Sequence, residues 1–162
     1  MNCHNCGETL DGDGTQSIVV CEHCRTYRSF GTPDSSVDRV VSLGKPGRSK
    51  CPCCRQRLTQ AAMDGLLVEY CDECTGVLIP EDLFAMLVRN RRAEYRGAAS
   101  HPTSLDSNHL DGELHCPACR NAMDVHPCYG PGHIVIDSCS NCRLVWLDLR
   151  ETAHTTLAMA AS

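Results

Sequence analysis

The sequence predicts a small, metal-stabilised, mainly β fold with short helices, organised as three tandem modules. Three observations predict it. Fourteen of the 162 residues are cysteine while only seven are aromatic, so bulky apolar material for one continuous core is scarce. Twelve of those cysteines form six C-x-x-C pairs: Cys3/Cys6, Cys21/Cys24, Cys51/Cys54, Cys71/Cys74, Cys116/Cys119 and Cys139/Cys142. Between successive pairs the chain repeats the pattern of a hairpin.

Taken two at a time, the pairs give three C-x2-C…C-x2-C sets with 14, 16 and 19 residues between them. Each pair forms a knuckle that places two sulfurs on one side of a metal, and the intervening hairpin brings the second knuckle to the other side. Four thiolates in this arrangement suit tetrahedral Zn²⁺, so three zinc ions per chain are expected. Iron in a rubredoxin-like site uses the same ligand pattern and stands as the alternative. Such iron sites are lined with aromatics, in which this chain is poor.

Disulfides are the other use of paired cysteines. The opening MNCHNCGETL lacks the apolar stretch of a secretory signal, and no run approaches the length of a membrane span. The expectation is a soluble, cytoplasmic chain without a membrane partner, whose thiols stay reduced and available to metal.

Each hairpin carries the same marks. Four residues after the second Cys of each set stands Leu10, Leu58 or Met123, and three residues before the third Cys stands Ile18, Val68 or Ile136. Between them lie the turns Asp11–Gly14, Asp64-Gly65 and Gly130-Pro131-Gly132, where glycine supplies positive φ. Knuckle, strand, turn, strand, knuckle is the outline of a zinc ribbon. After the last knuckle of the second and third sets, Val77-Leu78-Ile79 matches Val145-Trp146-Leu147, and each leads toward a helix. The second-set helix is expected over about 81–96, with Pro80 in its first turn, Glu81-Asp82 at its positive end and Leu83, Phe84, Leu87 and Val88 as its apolar face. In the third set Asp148 and Glu151 form a capping box. The expected division is ribbon 1 over 1–30, a linker over 31–50 whose apolar patch at 37–43 has strand character, ribbon 2 with its helix over 51–96, a linker over 97–112, and ribbon 3 with a C-terminal helix over 113–162.

The second and third sets resemble the transcription factor IIB-type zinc-ribbon family of small bacterial proteins. In one the resemblance rests on Cys51-Pro52…Cys54, Leu58 and Cys71…Cys74-Thr75-Gly76-Val77. In the other it rests on Cys116-Pro117…Cys119, Met123, Cys139…Cys142 and Val145-Trp146-Leu147-Asp148…Glu151. It covers residues 51–90 and 116–157, while the first ribbon is generic. The resemblance implies zinc at the eight matching cysteines. Two departures from the family pattern stand out: Arg55 and Arg120 stand where glycine often follows a knuckle, and Leu78 replaces the tryptophan seen at Trp146.

Other residues invite weaker readings. Cys53 and Cys128 are left over; a sensing or metal-exchange thiol is the sharper reading of Cys128, and an unpaired cysteine without a role the preferred one. His4, His23, His115, His126 and His133 lie near the knuckles, but four thiolates already complete each site. Arg89, Arg91, Arg92 and Arg96 complement the negative end of the helix dipole, with an anion or nucleic-acid contact as the alternative.

No open metal site, H-E-x-x-H motif, deaminase signature or phosphate-binding glycine loop is present, so catalysis is not expected. The formal charge is −5, and three Zn(Cys)₄ centres at about −2 each bring it to roughly −11, which disfavours a polyanionic partner. A patch of Lys45, Arg48, Lys50, Arg55 and Arg57 keeps nucleic acid as the alternative. The preferred function is a non-catalytic adaptor or regulatory module that binds a protein partner.

Overall fold

The computed structural model describes residues 2–3, 6–10, 18–29, 40–94, 113–127 and 135–148. Within them the chain forms nine strands and one helix. Strands β1 (Ile18–Val20) and β2 (Tyr27–Ser29) pair antiparallel in a small sheet. The other seven strands build one sheet: β3 (Val40–Lys50), β4 (Arg57–Met63), β5 (Leu66–Tyr70), β6 (Val77–Pro80), β7 (Asp124–Pro127), β8 (Val135–Cys139) and β9 (Leu144–Leu147). Their spatial order is β3-β4-β5-β6-β9-β8-β7, and every neighbouring pair is antiparallel.

The β4–β5 turn follows directly from Asp64-Gly65. Both residues have positive φ (48° and 82°), and Met63 pairs with Leu66 around them, so the connection is a two-residue hairpin of the I′ kind. Of the segment expected to be a linker over 31–50, Val40–Lys50 is strand β3, an edge strand of the sheet. Its pairing with β4 is broken by two register shifts, between Ser42 and Lys45 and between Pro46 and Lys50. From Val40 to Ser42 the apolar patch therefore pairs, and the polar residues after it continue the same strand, while residues 31–39 lie outside the described residues.

Helix α1 runs Glu81–Glu94. Pro80, expected in its first turn, instead ends β6 opposite Leu144, one residue before the helix. Acidic residues open the helix and arginines close it, as the dipole favours. Phe84 and Leu87 are buried, with Leu83, Met86 and Val88 packed at the margin. The helix expected after Asp148 and the linker over 97–112 lie outside the described residues. Among the described residues no helix is long and apolar enough to cross a membrane.

The centre of the sheet joins the second and third cysteine modules. Val77 pairs with Leu147, Leu78 with Trp146, and Ile79 with Val145. Because Val77-Leu78-Ile79 and Val145-Trp146-Leu147 occupy equivalent places, this register is that of a local pseudo-two-fold axis through the Leu78–Trp146 pair. Alternation along the two strands then divides the core. Val77, Ile79, Val145 and Leu147 join Met63, Val68, Ile136 and the helix residues on one face. Leu78 and Trp146 face the other way, among the cysteines of both modules.

Candidate metal centres

All six knuckles adopt one backbone form. The residue after the second Cys has positive φ each time: Gly7 (80°), Arg25 (62°), Arg55 (66°), Thr75 (59°), Arg120 (64°) and Arg143 (54°). In the first five, the N–H of that residue donates to the C=O of the first Cys, at 2.8–3.1 Å. The N–H of the first Cys donates to the C=O five residues on, for example Cys51 to Gln56 at 2.7 Å and Cys71 to Gly76 at 2.9 Å. In the sixth, Cys139 is the register partner of Leu144, the same separation. Glycine is thus not required after a knuckle. Five longer side chains accept the left-handed conformation at a cost of about 1–2 kcal/mol each.

These knuckles bring the twelve predicted cysteines into three groups: Cys3, Cys6, Cys21 and Cys24; Cys51, Cys54, Cys71 and Cys74; and Cys116, Cys119, Cys139 and Cys142. Within each group all four sulfurs lie within 4.8 Å of one another. Individual Sγ···Sγ separations are 3.5 Å (Cys3–Cys24), 3.6 Å (Cys6–Cys21), 3.3 Å (Cys51–Cys74), 3.4 Å (Cys54–Cys71) and 3.6 Å (Cys119–Cys139). Four sulfurs on a tetrahedral ion with bonds of about 2.3 Å would sit about 3.8 Å apart. A disulfide needs about 2.05 Å, and all twelve cysteines are free. The donor set and its spacing therefore suit three structural zinc ions.

The electrostatics point to the same need. Burial raises the thiols of Cys51, Cys71, Cys74 and Cys139 above the ordinary range. Cys142 is pushed up to about 12, first by its hydrogen bond with Cys119 and then by desolvation. Against this, backbone N–H groups favour the thiolate at two positions. Gln56 N–H lowers Cys54, and Asn121 N–H brings Cys119 down to about 7. Four sulfurs this close cannot all ionise without a cation between them, and a divalent metal supplies it.

Each cluster rests on the apolar residue that stands four places after its first knuckle. Leu10 is buried with Cys3 and Cys21, while Leu58 and Met123 are buried beside the second and third clusters. Thr26, which no sequence pattern singled out, sets its hydroxyl 2.9 Å from Cys24 Sγ and 3.3 Å from Cys3 Sγ. The first cluster is also the more open, since Cys6 is exposed.

Other singled-out residues fall away from the clusters. Cys53 is exposed and belongs to none of them. His23, His115 and His126 are exposed, and His126 Nε2 instead bonds Ser138 Oγ at 2.8 Å. Cys128, His4 and His133 lie outside the described residues. The arginine cluster divides. Arg91 is buried, with Nε 2.6 Å from Asp64 Oδ2 at the β4–β5 turn, while Arg89 is exposed and Arg92 half-buried. Arg96 lies outside the described residues. A dipole-complementing helix end thus also contributes a buried ion pair, which no local pattern announced.

Trp146 is the other residue whose role needed the structure. It is fully buried in one apolar cluster with Cys51, Cys71 and Cys74 of the second group and Cys116 and Cys139 of the third. Its indole occupies the space a side chain at Gly76 would take: a Cβ there would meet Cη2 at 2.6 Å. The knuckle of one module thus seats the tryptophan of the other. Arg143, next to the ligand Cys142, adds a polar link to the helix: its C=O accepts the N–H of Glu81 (3.0 Å) and its Nε reaches Glu81 Oε2 (3.2 Å).

Residues 50–87 match the family model described as the transcription factor zinc-finger, the TFIIB-type zinc ribbon. That segment holds the second Cys₄ group, its hairpin, β6 and the first half of α1. No curated protein and no solved structure matches the chain.

Proposed function

We propose that this chain is a non-catalytic adaptor or regulatory module, three tandem zinc ribbons whose metal is structural and whose surface binds a protein partner. The observation that carries the proposal is the completeness of the metal groups. Each supplies four sulfurs from two knuckles and no other ligand type. A zinc ion held by four thiolates keeps no position for water or substrate, so its contribution is folding free energy rather than chemistry. The match of residues 50–87 to a zinc-ribbon family supports the same role. In this reading the third ribbon ends in a helix capped by Asp148 and Glu151, equivalent to α1. Charge supports a protein rather than nucleic acid as partner, since the three loaded centres take an already acidic chain to roughly −11.

Two measurements test the proposal. Metal analysis of the purified chain is expected to return three zinc per chain; a value near one, or iron, overturns the architecture. Affinity capture on nuclease-treated and untreated extracts is expected to recover the same protein partner from both. Recovery of nucleic acid alone would replace the adaptor reading with the nucleic-acid one.

A further inference from the structure

Between Val40 and Met63 the sequence carries five cations, Lys45, Arg48, Lys50, Arg55 and Arg57, and no carboxylate. Both lysines of the whole chain are among them. This segment is +5 within a chain of −5, so the remainder carries −10. Such a separation of charge along one chain marks a local surface rather than a general property of the fold.

The structure places these five residues along one edge of the sheet and the knuckle beside it. Lys45, Arg48 and Lys50 lie on β3, the outermost strand of the seven-stranded sheet. Lys50 is the register partner of Arg57 on β4, and Arg55 is in the knuckle between them. All five are exposed. None forms an ion pair with a carboxylate among the described residues. The nearest acid of the sheet, Glu69, is already held: its carboxylate accepts the backbone N–H groups of Arg48 (2.8 Å) and Ser49 (3.0 Å).

We propose that this β3 rim is a docking surface for a short acidic polypeptide segment, deepening the protein-binding function on which it rests by naming the chemistry of the partner. Lys45 and Lys50 stand opposite Gln60 and Arg57 of β4, three residues or about 10 Å along the sheet, and an extended peptide places alternate carboxylates about 7 Å apart. A segment with two or three acidic residues therefore spans the rim. Recognition is by charge rather than by strand addition. Pro46 removes a backbone donor, and the two register shifts bend the edge, features that oppose continuous pairing with another strand. A nucleic-acid strand fits less well on two grounds. Beyond the rim a long polyanion meets a surface of its own sign. No aromatic platform for bases accompanies the cations either: among the described residues Phe84 and Trp146 are buried and Tyr27 and Tyr70 half-buried.

The test uses the full zinc-loaded chain with two fluorescein-labelled probes, hexaglutamate and a twelve-residue oligothymidylate, and reads anisotropy at 50 and 300 mM NaCl. Hexaglutamate is expected to bind, and to weaken about tenfold or more at the higher salt. Lys45→Glu/Lys50→Glu is expected to lose binding by at least tenfold, Lys45→Gln/Arg48→Gln by about threefold, and Arg89→Glu on α1 to change it less than twofold. Tighter binding of oligothymidylate, no binding of hexaglutamate, or equal loss with Arg89→Glu overturns the proposal. So does a fall in zinc content in Lys45→Gln/Arg48→Gln, which would assign the cations to balancing the second metal centre. A captured protein partner that binds the charge-reversed chain as well as the native one would leave the adaptor function standing and this surface refuted. Hexaglutamate binding without any captured protein would do the reverse.

Discussion

The second and third cysteine modules share a sheet, a core and a tryptophan, whereas the first keeps a two-stranded sheet of its own. All three use the same knuckles, with positive φ at the residue after the second Cys and, in five of the six, the same backbone hydrogen bonds. The difference lies in the segment after the last knuckle. In the second and third modules an uninterrupted apolar triplet emerges, and the two triplets pair around a pseudo-two-fold axis. In the first module Tyr27-Arg28-Ser29 stands there instead, and Tyr27 meets the rest of the molecule by donating its N–H to Gly65 C=O at the β4–β5 turn (2.6 Å). The comparison teaches that paired knuckles make each four-sulfur group, and the strand after the last knuckle decides whether two groups share a sheet.

The largest effect expected from this contrast concerns metal content. Cys139→Ala removes a ligand from the third cluster and, through Trp146, support from the second. Zinc is expected to fall from three per chain toward one. Cys21→Ala in the first module is expected to leave two, because a structural site contributes on the order of 10 kcal/mol to its own unit and that module has a sheet and a core cluster of its own. Metal analysis after dialysis reads both. Equal losses in the two variants would break the distinction.

Gly76→Ala attacks the seam without touching a ligand. The new methyl has to displace the indole of Trp146, an overpacking cost of about 3 kcal/mol, measured by urea unfolding. As Trp146 is the one tryptophan of the chain, its fluorescence maximum is expected to move red in the folded variant. An unshifted maximum with native stability would show that the seam is looser than this packing implies.

Arg91→Ala sharpens the comparison from the helix side. It removes the buried partner of Asp64, which leaves a carboxylate only 13 % exposed without its guanidinium. A loss of about 2–3 kcal/mol is expected in urea unfolding, with zinc stoichiometry unchanged. The smallest effect belongs to the knuckles that the modules have in common. Arg120→Gly relieves left-handed strain while adding entropy to the unfolded chain, for a net gain of up to about 1 kcal/mol. Arg25→Gly in the first module is expected to match it, and calorimetry of the two variants checks the equivalence.

Much of the molecule was legible because it is local. Cysteine spacing located all three metal groups, Asp64-Gly65 located a hairpin, and Glu81-Asp82 located a helix start, each within a few residues of chain. Even the apolar residue four places after each first knuckle found its place under the sulfurs. The signal for fusion is also present in the sequence. Val77-Leu78-Ile79 and Val145-Trp146-Leu147 do not alternate with polar residues, and a strand apolar on both faces needs cover on both sides. By sequence alone, Leu78 in place of a tryptophan like Trp146 is a departure from a family pattern. At the seam the two residues are partners, and the space over Gly76 holds one indole.

By itself, then, the sequence determined the chemistry of the metal groups, the form of the knuckles and the β character of the segments between them. These depend on interactions spanning at most a few tens of residues, and twelve thiols in regular pairs have few other uses. Only the tertiary structure decided that β3 closes one edge of the sheet, that Arg91 is buried against Asp64, and that two of the three modules are one body. Those outcomes rest on contacts between segments up to about seventy residues apart, where shape complementarity, such as an indole against a bare glycine, selects one partner among many apolar ones.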